Sequence, residues 1–203
     1  KLLLENWREY LVEGAKTADD LPDGVVIVAY DDDTSVTIVY GNADADHRSY
    51  TASVENSPIK GEIHIGKIAN PPCGDAWRVG LSTADDGWGP LLYDVAMEWA
   101  SRYGGGLIPD RVSVSKEARK VWKYYLNNRS NVQAHQLDDE DNTLTPGDED
   151  NCNQRVARKS TVPFIGGYLT RDFASESNPM SKRYTKEPDT IRRLVDIGKF
   201  IQI

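Results

Sequence analysis

The sequence predicts an α+β fold, a mixed and mostly antiparallel sheet flanked by helices. Three observations predict it. Val25–Tyr30 and Ser35–Tyr40 are short β-branched runs separated by Asp31-Asp32-Asp33-Thr34, a hairpin signal. From Gly89 onward the pattern switches to helical spacing, with Leu91, Leu92, Val95, Ala96 and Trp99 on one stripe. Strand and helix signals then alternate, so a meander is followed by a strand–helix–strand unit.

The chain before the hairpin reads first as an amphipathic helix over residues 2–13, LLLENWREYLVE, with Leu3, Leu4, Trp7, Tyr10 and Leu11 at helical spacing and Gly14 as its stop. A connector with the turn Leu21-Pro22-Asp23-Gly24 leads into the hairpin. The Asp triplet at its tip reads as turn chemistry. Further strands are expected at Ser49–Val54, Gly61–Ile68 and Ala76–Thr83. Pro90 sits where a helix tolerates the missing N–H, and Gly104-Gly105-Gly106 ends that helix. A strand is expected within Leu107–Val114, at Arg111–Val114. Ser115 then caps a helix whose face carries Ala118, Val121, Trp122, Tyr125 and Leu126. Thr161–Thr170 reads as a strand broken by Gly166-Gly167. Asp189 or Thr190 caps a last helix to Ile197, Gly198 closes it, and Lys199–Ile203 reads as a final strand. The expected organisation is an N-terminal helix over 1–14 and a single domain over 25–203.

Composition bounds the function. The chain has 203 residues, 39% hydrophobic and 28% charged, the balance of a soluble domain. No apolar run approaches the ~20 residues of a membrane helix, and without a charged stretch followed by an apolar one no secretory signal is expected. The net charge of −8 argues against a general nucleic-acid binder. Seven acids lie between Asp138 and Asp150 with no Lys or Arg, and without them the charge falls from −8 to −1. That stretch reads as a solvated, mobile loop, or as a cation site through Asp139, Asp141, Thr143 and Asp150. Leu144 stands where a calcium loop needs Gly, so no metal is expected. Residues Asn151–Ile203 are comparatively basic, and folding back toward the acidic loop would be an internal electrostatic match. Cys73 and Cys152 are the only cysteines, too few for a disulfide framework or a four-cysteine zinc site. Cys73 is a nucleophile only if a His lies beside it in space. There is no G-x-S-x-G elbow and no H-E-x-x-H.

Chemistry concentrates in Trp77–Leu92, WRVGLSTADDGWGPLL, where a strand runs through a glycine turn into a helix. A helix N-terminus reached this way presents unsatisfied amides and the positive end of the dipole to an anion. No Gly-Lys-Ser/Thr follows, so it is not a P-loop. Nor are the three spaced glycines of a dinucleotide fingerprint present.

Over residues 76–128 the chain resembles the GNAT acyltransferase superfamily. In that family a turn of pattern Q/R-x-x-G-x-G/A follows the fourth or fifth strand and cradles the pyrophosphate of acetyl-CoA. Asp86-Gly87-Trp88-Gly89-Pro90 matches its G-x-G part, and Ala84 stands at the Q/R position. The resemblance implies acetyl-CoA as cosubstrate and a small-molecule or protein amine as acceptor. It implies that Val79, Leu81 and Ser82 hold the pantetheine arm and that Gly87, Trp88, Gly89 and Pro90 hold the pyrophosphate, with Trp88 either a lid or a surface anchor. The family's A-x-x-x-Y helix has Trp122 four residues after Ala118, with Tyr124 and Tyr125 just beyond as candidate acids for the leaving thiolate. Among the isolated His47, His64 and His135, His64 is favoured as a catalytic residue. The alternative is a catalytically inactive GNAT-like protein.

The first helix, ending Leu11-Val12-Glu13 before Gly14, is similar to the capsid-targeting peptides of large tailed phages, which are cut after a hydrophobic-x-Glu triplet. That resemblance implies a phage virion or packaged structural protein with phage structural proteins as partners. The expected location is the bacterial host cytoplasm or the virion.

Overall fold

The first hairpin forms where β-branched residues crowd one another out of helical rotamers and pack well on a pleated surface. In the computed structural model, which describes residues 15–42, 59–68, 73, 75–110, 114–139, 141–142, 144–152 and 176–203, these runs are β1 (Val25–Asp31) and β2 (Ser35–Asn42), antiparallel with Val28 opposite Val39. Asp32 builds the tip. Its carboxylate accepts from the Thr34 and Ser35 amides at 3.1 and 2.5 Å and from the Ser35 hydroxyl at 2.8 Å. Asp33 takes the left-handed conformation there (φ 68). The triplet is turn chemistry, as its composition predicts.

The other elements are β3 (Ile59–Lys67), β4 (Trp77–Ala84), α1 (Gly89–Tyr103), β5 (Leu107–Ile108), α2 (Lys116–Asn128), β6 (Val132–Gln136), β7 (Lys182–Lys186), α3 (Asp189–Asp196) and β8 (Phe200–Gln202). The strands form one sheet in the order β6-β7-β5-β4-β3-β2-β1-β8. It is mixed, because β8 runs parallel to β1 and β5 parallel to β4. The fold is therefore α+β. No helix among the described residues is long and apolar enough to cross a membrane. The strands expected at Ser49–Val54 and Thr161–Thr170, and the helix over 2–13, lie outside the described residues.

The chain divides into two units, 1–66, 80–96 and 188–203 in the first, and 67–79 and 97–187 in the second. In the first, one face of the β1–β2–β3 meander carries Ile27, Val36, Ile38, Ile63 and Ile65, all fully buried. Removing each such side chain from water contributes about 1.5–3 kcal/mol. Across from Tyr40, Gly61 is sterically required. A Cβ there would stand 2.5 Å from Tyr40 Cε1 and 2.9 Å from the Thr83 carbonyl oxygen. At the chain's end, Gly198 (φ 68) closes α3, with its amide on the Val195 carbonyl and the Lys199 amide on the Leu194 carbonyl. The Lys199 ammonium then reaches the Leu21 and Pro22 carbonyls.

In the second unit the Ser115 hydroxyl caps α2 by accepting the Ala118 amide at 3.1 Å. Trp122 and Tyr125 are buried, and Trp122 packs on Tyr184 of β7 with ring centroids 5.0 Å apart. The strand expected at Arg111–Val114 lies instead at Leu107–Ile108, with 111–113 outside the described residues. Gly106 (φ +122) sits so close to the Tyr184 carbonyl that a Cβ would stand 2.6 Å from its oxygen, so the chain turns into β5 immediately after the glycines.

The inward side of β7 is polar. Lys182, Tyr184 and Lys186 are buried while Arg183 and Thr185 are half-buried. Lys186 is ion-paired with Glu98 of α1, and neither side chain is exposed to solvent. Desolvating two charges is costly, and leaving one without the other is costlier still. Lys186→Met is therefore expected to destabilise the protein by about 3–5 kcal/mol, while Glu98→Leu with Lys186→Met recovers most of that loss. Urea unfolding of the three chains checks this.

Candidate functional site

β4 begins as an interior strand and ends as an open one. The Trp77 amide donates to the Gly106 carbonyl at 2.8 Å, and pairing with β5 comprises Trp77 opposite Leu107 and Arg78 opposite Ile108. It goes no further. The two-residue alternation of a strand puts the amides of Leu81 and Thr83 on the same edge as that of Trp77, beyond the last β5 pair. Burial falls off in step. Trp77 and Val79 are buried, whereas Leu81 is 52% exposed. An exposed Leu beside unladdered main chain is the unusual feature of this strand.

The strand then turns. The Asp85 amide returns to the Lys60 carbonyl at 3.2 Å, and the Trp88 amide to the Asp85 carbonyl at 3.1 Å. Gly87 is left-handed (φ 85), a conformation without cost only for glycine, and its carbonyl accepts the Lys16 amide at 2.9 Å. The Gly87 and Gly89 amides have no protein partner among the described residues. A Cβ at Gly89 would meet nothing within 4 Å, so the approach to these amides is open. Trp88 is an anchor: its ring stacks on Tyr40 with centroids 5.3 Å apart. Tyr40 is 1% exposed. Burial, followed by the charge of Asp85, pushes that phenol far above its ordinary range. Ser82 is half-buried and its hydroxyl is 3.0 Å from that of Tyr93 on α1.

His64 lies on β3 opposite Thr37 and beside β4, where Gly80 leaves it room. A Cβ at Gly80 would stand 3.2 Å from His64 Nδ1. Glu62 precedes it on the same face of β3, is 5% exposed, and has no hydrogen bond or ion pair among the described residues. A buried carboxylate without a partner is rare. The sequence reading missed Glu62, because GEIHIG alternates like any edge-exposed strand. Within the first unit, Glu62 and His64 lie on one face of β3, opposite the face that carries Gly61, Ile63 and the Tyr40 on which Trp88 stacks.

Tyr124 and Tyr125 belong to α2 in the second unit. Tyr125 is packed among Trp122, Tyr124 and Arg129, and Tyr124 is half-buried. Also in that unit, His135 is 2.9 Å from the Thr185 hydroxyl, and burial, with Arg183 nearby, lowers its pKa. His47 lies outside the described residues. Cys73 carries no free thiol in this structure, because it is disulfide-bonded to Cys152. The pairing needed no framework, only two segments brought together by the fold.

The acidic loop also differs from a purely solvated one. Asp138 is fully buried, and its carboxylate accepts the amides of Asp139, Leu144 and Thr145 at 2.6–2.7 Å and the Thr145 hydroxyl at 3.1 Å. Burial pushes its pKa up, but the Thr145, Leu144 and Asp139 donors outweigh burial and hold it below the usual value. Among the described residues no group of three or more His, Cys, Asp or Glu side chains is arranged to hold a metal ion. Searches against protein-family models, curated proteins and solved structures find no match to this chain.

Because the folded pKa of Asp138 is depressed, its contribution to stability is present above the unfolded value of about 3.9 and is lost as pH falls through the folded one. The Leu144 and Thr145 amides are expected to lose exchange protection below about pH 4. Asp138→Ala strands these donors and is expected to cost about 1–3 kcal/mol at neutral pH. Amide exchange followed by NMR across pH 3–7 checks both.

Proposed function

We propose that the chain is a GNAT-like N-acyltransferase that takes acetyl-CoA as cosubstrate and an amine as acceptor. The observation that carries this reading is the edge of β4. Its laddering to β5 stops at Arg78, and among the described residues the Leu81, Thr83, Gly87 and Gly89 amides have no backbone partner, with the Leu81 side chain exposed beside them. An extended pantetheine arm needs such a strand edge, and a pyrophosphate needs such a turn. Val79 and Ser82 hold that edge in place from within, Ser82 through Tyr93. Trp88, fixed on Tyr40, holds the turn open, and Pro90 starts α1 without an amide to satisfy.

In the reaction the acceptor nitrogen attacks the thioester carbonyl carbon. The carbonyl oxygen takes negative charge, stabilised by the strand-edge amides. The C–S bond then breaks, and the CoA thiolate leaves and is protonated. His64, or Glu62 beside it on β3, is our candidate base for the amine proton.

A second reading is a GNAT-like shell without the activity, carried in a virion. Asp85 and Asp86 favour it, since two carboxylates beside the turn oppose a diphosphate, and Ala84 supplies no compensating side chain at the family's Q/R position.

Millimolar acetyl-CoA is expected to raise the thermal unfolding midpoint of the wild-type chain. Gly89→Trp, filling the open approach, should remove that shift while leaving the midpoint of the free protein unchanged. No shift with the wild type removes the enzyme reading. Under the second reading, N-terminal sequencing of the chain from mature particles is expected to begin at Gly14, and an intact N-terminus removes it.

A further inference from the structure

The acidic loop closes on a narrow neck. The Asp138 amide donates to the Asp150 carbonyl at 3.0 Å, the Cys152 amide to the Asp138 carbonyl at 2.8 Å, and the Cys73 amide to the Asn151 carbonyl at 2.7 Å. The Cys73–Cys152 disulfide, joining residues 79 apart in sequence, fastens this neck to the segment that leads into β4. Both cysteines are buried in an apolar cluster with Ala76, Ile108 and Leu137. Two features oppose the closed state. Cys73 (φ 80), Asp75 (φ 55) and Asn142 (φ 52) are non-glycine residues in the left-handed region. In addition, Asp139, Asp141, Asp148, Glu149 and Asp150 crowd like charges on the loop with no Lys or Arg among them. Strain and repulsion both favour opening; the cross-link opposes them, together with the hydrogen bonds that Asp138 and Asp150 accept from Thr145.

We propose that the Cys73–Cys152 disulfide is a redox latch on the acidic loop, closed by a disulfide oxidant and opened by a dithiol. In closing, one cysteine thiolate attacks an external disulfide and expels a thiolate. The second cysteine thiolate then attacks the mixed disulfide and expels another. The two chain thiols are oxidised to one S–S bond, the external disulfide is reduced to two thiols, and the two protons pass to the leaving groups. The latch stands open in a reducing cytoplasm and closed in an oxidising compartment or an extracellular particle. This holds whether or not the chain is an acyltransferase.

The full chain is equilibrated with oxidised glutathione or with dithiothreitol and digested with a glutamate-specific protease, following the cut after Glu149. Cleavage is expected to be at least tenfold faster in the reduced chain, with far-ultraviolet circular dichroism unchanged. Cys73→Ser is expected to be cut at the reduced rate under both conditions. If that variant does not fold, re-oxidation of the reduced wild type must restore resistance. Equal cleavage rates overturn the proposal. So does full alkylation of both cysteines in the glutathione-treated chain, and so does loss of the dichroism on reduction, which would make the bond a staple for the whole fold.

Discussion

The structure turns on one strand having two kinds of edge. β4 is laddered to β5 for two residues and no more, because β5 itself spans only Leu107–Ile108 before Pro109. A proline removes a donor and cannot sit inside a central strand, so the ladder has a chemical reason to stop. Backbone amides left without partners must find water or a ligand. Among the described residues the Leu81 side chain, 52% exposed, lies beyond that stop.

Polar groups in the interior shape the rest. Lys186 with Glu98, Asp138 under the acidic loop, and Glu62 on β3 are all buried, but they answer burial differently. Lys186 has a counter-charge. Asp138 has three amides and a hydroxyl. Glu62 has neither among the described residues. Tyr184, like Asp138, is satisfied by hydrogen bonding, its hydroxyl donating to the Pro179 carbonyl at 2.8 Å.

The local elements were legible wherever pattern and punctuation agreed. VVIVAY and SVTIVY are strands, Ser115 caps its helix, and Gly198 closes the last one, because period, cap and stop all point the same way. β6 and β7 were not legible. VQAHQ and KRYTK carry no apolar alternation, and two of the three buried positions of β7 are lysines, Lys182 satisfied by Gln136 and Lys186 by Glu98, 88 residues away. The disulfide was hidden for the same reason, since its partners meet only through tertiary structure. At the site, the glycine turn was visible as G-x-G. Glu62 was not, because burial of a carboxylate is a property of neighbours and leaves no local signal.

The most direct test of the strand-edge claim is amide exchange at individual residues of the free chain and of the chain with acetyl-CoA, read by NMR. The Leu81, Thr83, Gly87 and Gly89 amides should exchange rapidly in the free chain, unlike those of Val36–Tyr40, and become protected on addition of acetyl-CoA. If these four are already as protected in the free chain as the hairpin amides, the edge is closed, and the functional reading built on it is wrong.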